Sequence, residues 1–259
     1  MRSSREISPA NAYEAWLREF DLRDIDAADP HTMWALKYRS RLHSALRAFR
    51  QLPAGARILE VGSSQANASL LAAESGLQAI ALDREPRALV YALRKHTVGS
   101  FAAVCGDAVA LPFASETMDA VLLLELLEHL PQPAQAVAEA HRVLKPHGLL
   151  VVTSPNATRH GEALRSYSHA EPQKQARPEA DAAGHLFAFT LRELRDLVVG
   201  AGFQNPSARY EGSAVMSDRL PFGRVLPPAL TIALSHLFTR LPGTGRWAYN
   251  CLLIARREG

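Results

Sequence analysis

Between residues 57 and 155 the chain alternates short apolar runs with segments whose apolar residues recur every three or four positions. Arg57–Val61, Gln78–Leu82, Phe101–Cys105, Met118–Leu124 and Leu149–Thr153 read as strands. Ala66–Ser75, Pro86–Thr97 and Gln132–Leu144 read as helices. Gly76 ends the first helix, Pro86 opens the second, and Lys145-Pro-His-Gly148 turns the chain into the fifth strand. Strands that are apolar along their whole length and separated by helices predict a parallel sheet covered on both faces. Right-handed crossovers then make a doubly wound α/β sheet, which binds ligands at the carboxyl ends of its strands.

The flanks carry a different pattern. Asn11–Phe20 and Met33–Leu52 are predicted helices, with Trp16, Trp34, Tyr38 and Phe49 as one buried stripe, and residues 1–52 read as a helical cap on the domain formed by 53–259. Residues 156–184 are polar and aperiodic, so they are expected to loop over the binding edge. Thr190–Ala201 is a helix with a Thr190/Glu193 capping box, closed by Gly202. Two further strands are expected at Phe203–Tyr210 and Trp247–Ala255. Within an apolar insertion at about 211–246, Val225–Leu241 reads as core packing, as a seal over an acceptor pocket, or as an amphipathic helix on a membrane, with Arg219, Arg224, Arg240 and Arg246 around it.

The 259 residues include 29 Lys+Arg, 26 Asp+Glu and 47% hydrophobic residues, which excludes disorder over most of the chain. Basic and acidic residues number 10 and 7 in 1–57, 6 and 10 in 58–155, and 13 and 9 in 156–259. An acidic middle therefore lies between basic flanks, which suits a solvated surface or an anionic ligand. Basic residues are scattered rather than interleaved with aromatics, which argues against nucleic acid. Cys105 and Cys251 form neither a disulfide framework nor a zinc ribbon, and no stretch is long enough to span a membrane, so a cytoplasmic location is expected.

Three strand ends carry ligand-type residues. The first ends in Ile58-Leu-Glu-Val-Gly-Ser-Ser-Gln-Ala-Asn67, just before a helix N-terminus. Asp83 closes the second strand, 21 residues after Gly62, where an acidic group accepts ribose hydroxyls. Asp107 closes the third, placed for an adenine amino group. An adenosine-containing cofactor follows. The glycine fingerprint of a dinucleotide site is missing, which disfavours a nicotinamide-dependent dehydrogenase, and no GxxxxGK[ST] is present.

The sequence from about residue 55 onward resembles the class I S-adenosylmethionine (SAM) dependent methyltransferases. The resemblance rests on Ile58–Gly62, Ala81-Leu-Asp83, Gly106-Asp107 with Leu111-Pro-Phe113, Asp119–His129, Arg142–Gly148, Ser154-Pro-Asn156 and His185–Gly202. It implies a Rossmann-like seven-stranded, mostly parallel sheet whose last strand is antiparallel. It implies Glu60 and Gly62 near the methionine portion of SAM, Asp83 on the ribose and Asp107 on the adenine. Ser63, Ser64, Arg84, Ala108 and Glu125 complete the candidate cofactor set. Where the family usually has two further glycines this chain has Ser64 and Ala66, whose side chains either crowd the cofactor or, for the serines, donate to its carboxylate.

On the acceptor side, beyond the fourth strand, His129 is the candidate base for a hydroxyl, or a group that orients the loop. Glu125, Glu128 and His129, with His185 returning later, also have donors for a divalent ion. That pattern resembles metal-assisted O-methyltransferases of ubiquinone biosynthesis. His31, Trp34 and Tyr38 are placed to close over the cofactor from the cap. The expected activity is methyl transfer to an oxygen of a small-molecule, glycan or lipid-type acceptor. A non-catalytic binding protein on the same fold is the rival.

Overall fold

A computed structural model describes residues 12–19, 21, 32–160, 165–170, 184–212 and 225–259. Helix α1 is Ala12–Glu19 and α2 is Met33–Phe49. The central run follows as β1 (Arg57–Val61), α3 (Asn67–Glu74), β2 (Gln78–Asp83), α4 (Pro86–Lys95), β3 (Ser100–Cys105), β4 (Met118–Leu124), α5 (Pro133–Val143) and β5 (Leu144–Pro155). Helix α6 (Leu191–Gly200), β6 (Gln204–Glu211), α7 (Pro228–Phe238) and β7 (Asn250–Arg256) complete it. Single helical turns stand at Ala157–His160 and Tyr167–Ala170.

The seven strands form one sheet in the order β3-β2-β1-β4-β5-β7-β6. β1 to β5 pair in parallel, and β7 lies antiparallel between β5 and β6. The order reverses between β1 and β4, and there the sheet opens the crevice that doubly wound folds use for ligands. Strand periodicity sends alternate residues to opposite faces. Leu59 and Val61 join a core with Ala136, Val137 and Ala140 of α5 and Leu194 and Val198 of α6. Ile58 joins the opposite core with Leu42, Ala45 and Phe49 of α2 and Ala68 and Ala72 of α3. The second helix of the flank, α2, is thus one of the layers covering the sheet.

The expected Lys145–Gly148 turn survives as an irregularity within β5: Met118 pairs with Leu144, and the next partners are Ala120 and Leu149. His147 there has φ 63°. The capping box is formed, with Thr190 accepting from the Glu193 amide and the Glu193 carboxylate accepting from the Thr190 amide. The aromatic stripe is corrected in one member. Trp16 is half exposed, because α1 turns Glu14 and Leu17 inward and leaves Trp16 facing out against Tyr13. Phe49 is buried as expected. His31, the side chain of Trp34, residues 171–183 of the long loop, and Arg219 and Arg224 lie outside the described residues. Among the described residues no helix is long and apolar enough to cross a membrane.

Candidate functional site

The site begins where β1 stops. Gly62 has φ +69°, and a Cβ built on it would lie 2.6 Å from Leu126 Cδ1, so both backbone conformation and space require glycine. The amides of Gly62 and Ser63 both donate to the Leu82 carbonyl, at 2.8 and 3.0 Å, which ties the turn to β2. Ser64 and Ala66 also sit in the left-handed region, at φ 45° and 54°. The chain therefore keeps the turn a glycine-rich loop would make, with two residues that disfavour it. Ala66 does not crowd the cleft. It is fully buried against Ala81, Leu89 and Ala92 in the helix layer, and of the two only Ser64 lines the cleft.

Carboxylates then brace this turn. Helix α3 has no side-chain cap of its own at Ala66. Glu60 supplies one from the strand, accepting from the Ser69 amide at 2.8 Å and the Ser69 hydroxyl at 2.6 Å. Burial pushes the Glu60 pKa up, and the Ser69 bonds only partly oppose it. Asp83 accepts from the Ser64 amide at 2.8 Å with one oxygen and the Glu85 amide at 2.9 Å with the other. Asp107, exposed at the end of β3, accepts from the Val109 amide at 3.1 Å. Arg84 is exposed and Ala108 buried beside them.

A cleft of about 560 Å³ opens above β1 and β4. It brings together Glu60, Gly62, Ser63, Ser64, Glu125, His129 and His185. Asp83, Arg84, Asp107 and Ala108 do not line it; they follow along the same sheet edge, at the ends of β2 and β3. Sequence reasoning missed Lys37 and Arg41, which reach the cleft from α2 with Tyr38. Two cations four residues apart beside an aromatic were the available signal. Trp16 and Gln65 were missed as well. The Gln65 amide nitrogen donates to the Leu17 carbonyl at 3.2 Å, fastening α1 to the rim. Arg94 and Lys95 of α4 pair with Glu14 and Asp21 at the same seam.

At the β4 end the chain kinks at Glu125, φ 53°, whose amide donates to the Thr153 carbonyl. Its carboxylate lies 3.4 Å from Lys37, 3.8 Å from Arg41 and 3.1 Å from the donating Asn250 amide nitrogen. Burial raises its pKa, but Lys37 and Arg41 outweigh this and hold it below the ordinary carboxylate value. Glu128 is fully buried and raised well above that value by burial and by Glu125. One of its oxygens accepts from Ser154 at 3.0 Å and the other has no hydrogen-bond partner. His129 Nδ1 lies 3.0 Å from the Gly184 carbonyl, and its ring is 4.8 Å from that of His185. A carbonyl only accepts, so this contact puts the proton on Nδ1 and leaves the lone pair on Nε2.

Residues 59–152 match the family model described as a methyltransferase domain. Over this stretch the chain is similar to the class I SAM-dependent methyltransferases. It is 40% identical over 98 residues to demethylmenaquinone methyltransferase of Renibacterium salmoninarum, covering 38% of this chain and 40% of that one. It is 27% identical over 212 residues to squalene methyltransferase 1 of Botryococcus braunii, covering 76% and 55%. The chain thus spans about two fifths to just over half the length of these relatives. A SAM-dependent methyltransferase from Thermotoga maritima shares the fold, with TM-score 0.54, 20% identity, and 93% and 100% of the two chains covered.

The residues present suit the family's cofactor. The Ser63 hydroxyl is buried on the cleft wall without a hydrogen-bond partner, an arrangement a polar ligand completes. Asp83 is fixed by two amides and only half buried, so its remaining lone pairs face the rim. No dinucleotide cradle competes, since the turn has one glycine.

Proposed function

We propose that the protein transfers a methyl group from SAM to an oxygen of a small or lipid-type acceptor. The observation that carries the oxygen reading is the 3.0 Å contact of His129 Nδ1 with the Gly184 carbonyl. A proton on Nδ1, facing the Gly184 carbonyl, would make Nε2 the basic atom for a hydroxyl proton within a cleft that reaches Gly62 and Ser63. Bound SAM supplies an activated methyl on sulfonium. Glu60, Gly62, Ser63, Ser64 and Glu125 would hold its methionine end, with Asp83, Arg84, Asp107 and Ala108 at the ribose and adenine. Residues 1–52 serve as a cap: Trp16, Lys37, Tyr38 and Arg41 contribute one wall and exclude water from the reacting atoms. Residues 53–259 form the methyltransferase domain.

The relatives' names support a lipid acceptor, since demethylmenaquinone and squalene are both isoprenoid. They do not select oxygen, because squalene is a hydrocarbon. The test is incubation of purified protein with SAM labelled in its methyl group and a panel of phenolic, polyprenyl and lipid-linked acceptors, followed by mass spectrometry. A labelled methyl ether supports the reading. A carbon-bound methyl overturns the oxygen assignment while leaving methyl transfer intact. Binding of SAM without turnover on any acceptor favours the non-catalytic rival. Two free cysteines, one buried, accord with a cytoplasmic location.

A second reading adds a divalent ion. Ligand atoms of Glu128, His129 and His185 all lie within 4.8 Å of one another, and Glu128 keeps an oxygen without a partner. The backbone bond at His129 Nδ1 is the outer-shell contact that metal-bound imidazoles make. These residues would hold the ion, which would act as a Lewis acid on the acceptor hydroxyl. Metal content of the purified protein and calorimetric titration with Mn²⁺, Mg²⁺ and Zn²⁺ test it, beside activity with and without EDTA.

A further inference from the structure

Helix α7 is packed inside out. Thr231, Ser235 and Thr239 at its end are buried, whereas Leu230, Leu234, Leu237 and Leu241 are 38–60% exposed. A helix seated on a core does the reverse, with leucines inward and hydroxyls in solvent. The inward hydroxyls are provided for locally: Thr231 donates to the Pro227 carbonyl at 3.3 Å, and Thr239 to that of His236 at 3.1 Å. The leucines recur at intervals of four, three and four, so they form one stripe. Val225, 79% exposed, precedes it. Trp247 stands beyond its end, against Phe238 at 5.9 Å, with the Arg246 guanidinium 4.3 Å over its ring.

A basic rim borders the stripe. Arg240 and Arg246, both exposed, flank it, and between Asp218 and Glu258 the sequence contains no carboxylate side chain. Helix α7 packs on α2 through Leu36, Ile232 and Tyr249, and His43 of α2 faces His236 at 6.1 Å. Arg47 of α2, Arg209 of β6 and Arg240 act electrostatically on His236, and Arg47 with Arg50 on His43. Burial first, then Arg209, His43, Arg47 and Arg240, push His236 down to about 4. The carboxylate facing them, Glu211, is buried beneath.

We propose that α7 and its flanking arginines are a docking surface for an anionic phospholipid bilayer. The leucine stripe enters the boundary between headgroups and acyl chains, while Arg47, Arg240 and Arg246 meet lipid phosphates. Charge selects this occupant. A second copy would bring the same cations face to face, whereas an acidic bilayer neutralises them. At 11 residues the helix is too short to span and lies in the plane of the surface. Because α2 also carries Lys37, Tyr38 and Arg41 of the cleft wall, docking sets the cleft beside the bilayer. The surface stands whichever acceptor is methylated.

The experiment is co-sedimentation of the full chain with vesicles of phosphatidylcholine alone and of an equal phosphatidylcholine–phosphatidylglycerol mixture. Wild type is expected to partition at least tenfold better into the anionic vesicles and to be released as salt is raised. The Leu234→Glu/Leu237→Glu variant should lose at least about tenfold in partitioning. The Arg47→Glu/Arg240→Glu variant should lose the anionic preference, with about fivefold expected per arginine. Both alter exposed positions, and unchanged circular dichroism and melting verify folding. Failure of the wild type to sediment with the anionic vesicles overturns the proposal. So does a leucine variant that binds as wild type. Light scattering that shows a concentration-dependent dimer, lost in the leucine variant, would give the stripe to a second copy and overturn it too.

Discussion

At the ends of β1 and β2, carboxylates are held by local donors. Glu60 takes both hydrogens of Ser69, nine residues away, and Asp83 takes the amides of Ser64 and Glu85. At the β4 and β6 ends, the carboxylates depend on distant partners or have none. Glu125 is held by Lys37 and Asn250, Glu128 keeps an unpartnered oxygen, and Glu211 is buried with one oxygen likewise unpartnered. A side built from backbone amides is pre-shaped for one ligand and costs little to keep empty. A side with buried, incompletely paired acids is destabilised in itself, and such groups concentrate where chemistry is done. Under the proposed function, the contrast separates a grip from a reaction zone.

The largest expected effect falls on the reaction zone. His129→Ala should lower kcat at least about 100-fold, the lower end for loss of a general base, while SAM affinity stays within about threefold. Steady-state kinetics and calorimetry on the same preparation read the two separately. Equal losses in both would assign His129 to folding and erase the distinction between the two sides. On the grip side the pattern should invert. Asp83→Ala removes an acceptor that also anchors the turn through Ser64, and should weaken SAM and S-adenosylhomocysteine binding by about tenfold or more. Unchanged affinity would remove Asp83 from the cofactor site.

The same contrast decides what could be read without a structure. The succession of strands and helices along the chain, the capping box at Thr190 and the turn at Gly62 follow from periodicity and from residues within a few positions of one another. Asp83 and His129 could be singled out as candidates for the same reason, and Glu60 through the family resemblance. Lys37 and Arg41 were not, because their partner Glu125 lies over 80 residues away and nothing local to α2 reveals an acid opposite it. Trp16 was misassigned because hydrophobicity alone placed it inward, while Glu14, committed to Arg94, occupies the buried side of α1. Asn250 and Glu211 were invisible for the first reason, as each acts across the sheet.

A smaller effect, on stability rather than turnover, probes the acidic burial directly. Burial raises the Glu211 pKa to about 7, with Ser44 and then Arg209 opposing. A carboxyl whose folded pKa exceeds its unfolded value near 4.5 stabilises the fold below the unfolded value. It loses that contribution as pH rises through 7. Full ionisation therefore costs on the order of 3 kcal/mol. Glu211→Gln should match wild type near pH 5 and melt roughly 5 °C higher at pH 8. Parallel melting curves at both pH values would show that Glu211 ionises without penalty, and the reaction side would then resemble the grip.

The smallest effect concerns the grip's own strain. Ser64 and Ala66 hold left-handed backbone that costs an L-residue about 1–2 kcal/mol relative to glycine. Ala66 is a poor probe, since its methyl fills space against Leu89 and Ala92, and removing it offsets the relief. Ser64 faces the cleft and buries little, so Ser64→Gly isolates the backbone contribution. The variant should melt about 2–4 °C higher. Its SAM affinity should stay within about threefold, because the amide that donates to Asp83 is retained. A rise in melting temperature with a large loss of affinity would mean that the Ser64 hydroxyl itself holds the ligand. The serine would then be a contact that the strain maintains, and the grip would rest on a side chain as the reaction zone does.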